Sequence, residues 1–289
     1  MEIVYSPRCL EYQQIGHPES PARLRIASVY LRGLGFGFLE PQPATDEDLL
    51  LVHTPEHIRR VEAGNFYDPD SPAYPNIDFY ARLSVGGAIL AQERRGFSLM
   101  RPPGHHAGPH FLGGFCYYNN IAVAVRRSGL KTLIVDIDAH HGNGTEAIFL
   151  GDERVVYVSL HHGYNYPGTG LTSRDNCLNY PLMPRCGPQV YLDTLKRALD
   201  EARGLGPFEQ LAVSVGFDSY KDDPLASLGL EVETYRDIGK ILGSLKVPTF
   251  AILEGGYVPE IIGPAVEAFI AGLREGGALI GPGPREPKG

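Results

Sequence analysis

Thr132–Gly144 reads TLIVDIDAHHGNG, and its reading decides how the chain is built. Leu133, Ile134, Val135 and Ile137 form an apolar, mostly β-branched run with no polar face. Such a run suits a strand buried on both sides of a parallel sheet. It ends in Asp136, Asp138, His140 and His141, ahead of a Gly-Asn-Gly turn. If the chain stays extended, a period of two places Asp136, Asp138 and His140 on one side. Three such groups are costly to bury at a strand end unless they share a cation or one another. Two carboxylates and an imidazole suit a divalent first-row metal. Taken alone, the motif reads equally well as a solvated turn rich in Asp, His and Gly.

Outward from this stretch the pattern alternates. Glu2–Tyr5, Phe97–Met100, Arg154–Leu160, Leu211–Val215 and Thr249–Leu253 read as further strands. Helices are expected around Leu24–Leu31, at Asp46–Val52, after Thr54-Pro55-Glu56, and over Asp78–Arg94. Others follow from Ile121 and over Thr145–Leu150, Val190–Arg203, Glu231–Leu245 and Ile261–Leu273. Strands alternating with helices imply an α/β fold: a single-domain, open, mostly parallel sheet with helices on both faces. No linker interrupts the pattern, so residues 1–280 are expected to form one domain and 281–289 a flexible tail. His105 and His106 follow one strand, Asp136, Asp138 and His140 end a second, Asp218 follows a third, and Glu254-Gly-Gly-Tyr257 follows a fourth. Ligands of open parallel sheets bind beyond the carboxyl ends of the strands. Four polar strand ends on one edge therefore point to an active site.

Composition narrows the function. A net charge of −8 over 289 residues argues against a nucleic-acid surface and mildly favours cationic partners. Cys9, Cys116, Cys177 and Cys186 make no C-x-x-C pair, which points to a reducing, cytoplasmic setting. No signal core or bilayer-length apolar run is present, so no membrane association is expected. Oligomeric state is left open.

Six motifs then occur in order: RPPGHHA (Arg101–Ala107), GGFCYYNN (Gly113–Asn120), DIDAHHGNGT (Asp136–Thr145), PGTG (Pro167–Gly170), GFDSYKDDPL (Gly216–Leu225) and EGGY (Glu254–Tyr257). Together they resemble the histone deacetylase superfamily, which includes acetylpolyamine amidohydrolases and acetoin-utilisation proteins, in a prokaryotic class II-like form. The resemblance covers nearly the whole chain. It implies the arginase/deacetylase fold, a divalent metal (usually zinc, with ferrous iron as the alternative), and removal of acetyl or longer acyl groups from lysine side chains or a similar small amine. It also implies Asp138, His140 and Asp218 as metal ligands and His105 and His106 as the tandem catalytic imidazoles. Asp136 and Asn143 would partner these imidazoles, and Tyr257 would be the hydroxyl that polarises the carbonyl. A structural potassium would use Asp136, Asp138, His140, Ser159 and Leu160. Arg23 would line an internal acetate-release cavity.

The chemistry these residues offer fits amide hydrolysis. A bound metal lowers the pKa of water from ~15.7 to about 7. A tyrosine, with an ordinary pKa of about 10, stays protonated and donates to an oxyanion. A histidine takes the water proton and returns it to the amine. The resemblance places Gly114, Phe115, Tyr166 and Leu225 along the substrate channel, and Asp70 or Asp68 at its rim. Phe115 and Tyr166 read equally as core aromatics, and Asp70 as part of a solvated loop. Leu225 stands where one polyamine-selective branch carries a glutamate, which favours acyl-lysine. Asn143, where some relatives have aspartate, lowers the proton affinity expected of His106. His141 is expected to support the site, as is one of His161 and His162. His17, His53, His57 and His110 are expected to be structural or at the surface. The competing readings are an acetylpolyamine amidohydrolase, an arginase-like two-metal hydrolase and a non-catalytic acyl-ligand binding protein.

Overall fold

The computed structural model describes residues 1–282. Most of the tail expected at 281–289, from residue 283 on, lies outside the described residues. The strands are β1 (Ile3–Val4), β2 (Phe38–Leu39), β3 (Phe97–Ser98), β4 (Thr132–Asp136), β5 (Val155–His162), β6 (Cys177–Leu182), β7 (Gln210–Val215) and β8 (Thr249–Leu253). They form one eight-stranded sheet in the order β2-β1-β3-β8-β7-β4-β5-β6, and every pairing is parallel. The helices are α1 (Ala22–Gly33), α2 (Asp46–Leu49), α3 (Pro55–Glu62), α4 (Ile77–Arg94), α5 (Asn120–Ser128), α6 (Asn143–Phe149), α7 (Gly187–Arg203), α8 (Val232–Gly243) and α9 (Pro259–Gly276).

Every residue of β4 is buried, as its unbroken apolar run requires. Its side chains alternate between two cores. Leu133 and Val135 join the one built with α1, α7, α8 and α9, while Ile134 joins the one built with α3, α4 and α5. β7 and β8 divide likewise: Val213 and Ala251 face the first core, Ala212 and Phe250 the second. Helices therefore cover both faces. Among the described residues no helix is long and apolar enough to cross a membrane.

Three local readings differ. Alternation does not carry past Asp136, where β4 ends and the chain bends. β6, CLNYPL, carries Asn and Pro and gives no clear strand signal, yet it extends the sheet by pairing with β5. The apolar positions of the helix expected around Leu24–Leu31 do not all turn inward: Val29 is 68% exposed, because α1 packs through Leu24, Ala27 and Leu31.

Candidate active site

The bend after β4 reorders the three groups that simple alternation would have lined up. Asp136 stays at the strand end, in register with Ser159 of β5, and accepts from Tyr157 Oη at 2.9 Å. Asp138 and His140 turn instead toward Asp218, which follows β7. His140 Nδ1 lies 2.9 Å from Asp218 Oδ2 and 3.2 Å from Asp138 Oδ1. One donor atom from each of the three side chains falls within 4.8 Å of the others, and all three residues are buried. The backbone N–H of Gly255, after β8, donates to Asp138 Oδ2 at 2.7 Å. That of Ala139 donates to Asp218 Oδ1 at 2.8 Å.

Two packed carboxylates in this interior demand positive charge. Burial would raise Asp138, but His105 and His140 hold it below the ordinary carboxylate range. Burial and the adjacent Asp138 push Asp218 above the ordinary carboxylate range. Burial alone would lower His140, but its bonds to Asp138 and Asp218 hold it at about 10. The charge these groups call for is what a divalent cation supplies, and a donor set of two carboxylates and one imidazole with a side left open suits such an ion. The residues present thus fit a metal at this point.

The tandem histidines ride on the long loop between β3 and α5. Glu254, immediately after β8, fixes that loop: its Oε2 accepts from the backbone N–H of Gly104 at 2.7 Å and of His105 at 3.2 Å. Its Oε1 accepts from Ser214 Oγ at 2.9 Å. Burial pushes this carboxyl up to about 7, with Asp136 and Asp138 adding to the effect. His105 Nδ1 stands 3.0 Å from Asp136 Oδ2. Burial would lower His105, but Asp138 and Asp136 raise it to about 10. His106 Nδ1 stands 2.8 Å from Asn143 Oδ1 at the start of α6. Burial, then the charges of His105 and His140, put His106 well below its ordinary value.

These groups open onto a cavity of about 290 Å³. His106, His140 and Tyr257 line its floor, Gly114, Phe115 and Tyr166 its walls, and Asp70 and Leu225 its mouth. The Phe115 ring lies edge-on to Tyr257 at 5.7 Å, and Tyr166 lies edge-on to His106 at 5.0 Å. Burial and the nearby Asp218 push the Tyr257 phenol well above its ordinary value.

Arg23 is fully buried. Its Nε donates to Gly256 O at 2.6 Å, its Nη2 to Glu254 O at 2.5 Å and its Nη1 to Glu19 Oε1 at 3.1 Å. It therefore grips the loop that carries Tyr257 from behind. Ser159 Oγ pairs with His161 Nδ1 at 2.8 Å, and Leu160 is buried. His141 bridges Thr169 Oγ1 and Glu146 Oε2 at 2.8 and 3.0 Å, and His161 Nε2 reaches Gly170 O at 3.0 Å. Both thus hold the PGTG loop beside Tyr166.

Several residues escaped the reading of the sequence. His17, expected to have no role, lines the cavity, and its Nε2 lies 3.1 Å from Asp70 O. Asn165 also lines it. The buried Glu19–Arg101 pair, with bonds of 2.6 and 2.8 Å, was visible only as charges inside proline-rich motifs. Glu254, read as part of a polar strand end, carried no expectation of anchoring the Gly104–His105 backbone. His53 and His57 are buried: His53 Nδ1 lies 3.0 Å from Gly108 O, and His57 Nε2 lies 2.8 Å from Tyr117 O.

Comparison with known proteins bears on the family and the fold. A family model described as "Histone deacetylase domain" matches residues 17–273. The chain is 36% identical to the "Probable deacetylase" of Methanothermobacter thermautotrophicus, over 94% of this chain and 90% of that one. It is 37% identical to "Acetylpolyamine amidohydrolase 1" of Pseudomonas aeruginosa, over 68% of this chain and 62% of that one. The HDA15 HD domain superposes with a TM-score of 0.87 at 32% identity, covering 95% of this chain and 93% of that one. An acetylpolyamine aminohydrolase from Burkholderia pseudomallei shares the fold, with a TM-score of 0.83 at 23% identity, covering 94% and 98%.

Proposed function

The chain belongs to the histone deacetylase family of amide hydrolases, and within it we propose a metal-dependent deacylase that removes acetyl or longer acyl groups from lysine side chains or a similar primary amine. One observation carries this reading: the Asp138–His140–Asp218 donor set reaches, through His140, the cavity with aromatic walls that His106 and Tyr257 also line.

Asp138, His140 and Asp218 would hold the divalent cation, zinc or ferrous iron. When bound, that ion supplies the Lewis acidity that polarises the amide carbonyl and makes water nucleophilic near neutral pH. The protein does the rest. His106 donates its Nδ1 proton to Asn143 Oδ1, so Nε2 is free to accept a proton from water and later return it to the leaving amine. With an amide partner in place of a carboxylate, and with burial favouring the neutral ring, His106 starts as a base. His105 donates a hydrogen bond from Nδ1 to Asp136 Oδ2, which fixes its ring beside the reaction. Tyr257 keeps its proton and donates it in a hydrogen bond to the oxygen as negative charge develops there. Phe115 and Tyr166 enclose the alkyl chain of the amine, and Arg23 fixes the backbone that carries Tyr257. A structural potassium would sit beneath, served by Asp136, Asp138, His140, Ser159 and Leu160; the β4–β5 register that sets Asp136 beside Ser159 supports that grouping.

Asp70 at the mouth, with no lysine or arginine among the described residues that line the cavity, keeps acylated polyamines as a second reading. A kinetic screen of acetyl-lysine peptides against acetylated polyamines, repeated with longer acyl chains, decides between them. No turnover on the whole panel would return the chain to the class of acyl-ligand binding proteins. Two transition metals per chain would favour an arginase-like mechanism.

A further inference from the structure

Phe115, the aromatic wall of the cavity, has a φ of 70°, a left-handed conformation that strains a residue with a side chain. Such a residue persists only where its surroundings dictate it. On one side, Gly113 and Cys116 exchange backbone hydrogen bonds at 3.1 and 2.9 Å, which closes the turn around it. On the other, the Phe115 N–H donates to Ser71 Oγ at 3.0 Å, across 44 residues of sequence.

Ser71 is fully buried, but its chain neighbours build the mouth. Asp70 lines the cavity, and the carbonyl of Pro72 accepts from Tyr117 Oη at 2.6 Å. The turn it braces leaves no slack toward the floor. A Cβ on Gly114 would stand 2.4 Å from His106 Cδ2, and the Phe115 ring touches both His17 at the rim (4.9 Å) and Tyr257 at the floor (5.7 Å).

We propose that Ser71 is a positioning residue for substrate: its hydroxyl holds Phe115 in the left-handed conformation and ties the wall of the channel to the rim loop that carries Asp70. The proposal rests on the hydrolase reading above for its kinetic consequence. Its structural consequence stands apart from that reading. Ser71 touches none of the reacting groups, so its loss widens the channel and weakens substrate binding while the chemical step proceeds.

The test uses the metal-loaded enzyme and two variants, Ser71→Ala and Ser71→Cys, the second keeping the size of serine with a much weaker acceptor. Both are expected to speed hydrogen–deuterium exchange in peptides that contain the Phe115 amide. Both should raise KM for an acetyl-lysine peptide about 3–10-fold, the scale of one lost hydrogen bond, with kcat within about two-fold. Ser71→Thr, which retains the hydroxyl, restores both readouts. In a Phe115→Gly background, where no wall is left to hold, Ser71→Ala adds no further rise in KM. Unchanged exchange at Phe115, a fall in kcat at constant KM, or the same KM factor in the Phe115→Gly background overturns the proposal. If the unsubstituted enzyme turns over no acylated amine, the hydrolase reading fails, and the exchange result alone decides the role of Ser71.

Discussion

At the scale of single residues, the site divides into groups that hold charge and groups that place it. Tyr257 is the sharpest case of the first. Its phenol lies against the guanidinium of Arg23, 5.2 Å from ring centre to Cζ, and burial keeps it protonated. Removing one oxyanion donor typically costs 10²–10³ in turnover. Tyr257→Phe is therefore expected to lower kcat by about that factor and to leave the metal content of the purified protein unchanged. Turnover comparable to the parent would remove Tyr257 from the mechanism. Asp218→Ala separates the two functions the other way. It deletes the carboxylate nearest His140 Nδ1 and is expected to yield folded protein without the catalytic metal, which elemental analysis checks. Glu254 belongs to the groups that place charge, since its carboxylate joins the Gly104–His105 backbone to Ser214 on β7.

At the scale of elements, what matters is that the ends of β4, β7 and β8 lie side by side in the sheet, so that short loops from each meet. The approach is close enough to dictate glycine at Gly255, where an added Cβ would stand 2.4 Å from Asp218 Oδ2 and 2.6 Å from Asp138 Oδ2. Gly255→Ala is expected to push the two carboxylates apart and weaken metal binding on the order of 10–100-fold, as disturbing the surroundings of ligands does, while far-UV circular dichroism stays unchanged. Retained metal affinity would show that the loop yields without disturbing the ligands. The same geometry explains what the sequence made legible. Buried parallel strands such as Leu133–Val135 announce themselves as unbroken apolar runs, and polar residues just after them mark the carboxyl edge. β2, two residues long, is too short to carry a period, and β6 joins the sheet through pairing with β5 despite its polar composition. His17 and Ser71 were illegible for another reason: their partners, Asp70 O and Phe115 N, are backbone atoms supplied by distant loops.

At the scale of the whole molecule, the sheet carries its polar groups in buried, paired form, and that makes stability depend on pH. His53 and His57 stack at 4.9 Å beneath the loop that bears the tandem histidines, each bonded to backbone carbonyls. Burial lowers His53 to about 3, with His57 adding to the effect, and burial lowers His57 to about 4. Above the ordinary histidine value of about 6.5, both rings are neutral in the folded and unfolded chains, and neither makes stability vary with pH. As pH falls below that value, the unfolded chain takes up protons that the folded chain refuses, so folding stability declines until the folded values are reached. Glu19 extends the decline: burial would raise it, but Arg101 and Arg23 hold it at about 2, so the folded form loses further ground below about 4.5. Each histidine contributes a loss on the order of 3 kcal/mol between pH 6.5 and 4. In urea unfolding at pH 7.5, 6, 5 and 4.5, the share of stability set by these two rings should be level at the top of the range and fall below 6.5. Glu254, Asp218, His105 and His140 contribute an opposing share, because their raised values make the folded chain the stronger proton binder. The double variant His53→Gln, His57→Gln is expected to be less stable at pH 7.5, because its amides fit the two carbonyls less well, yet to lose less stability than the parent between pH 6.5 and 5. An unchanged slope in that variant would assign the acid sensitivity to other groups.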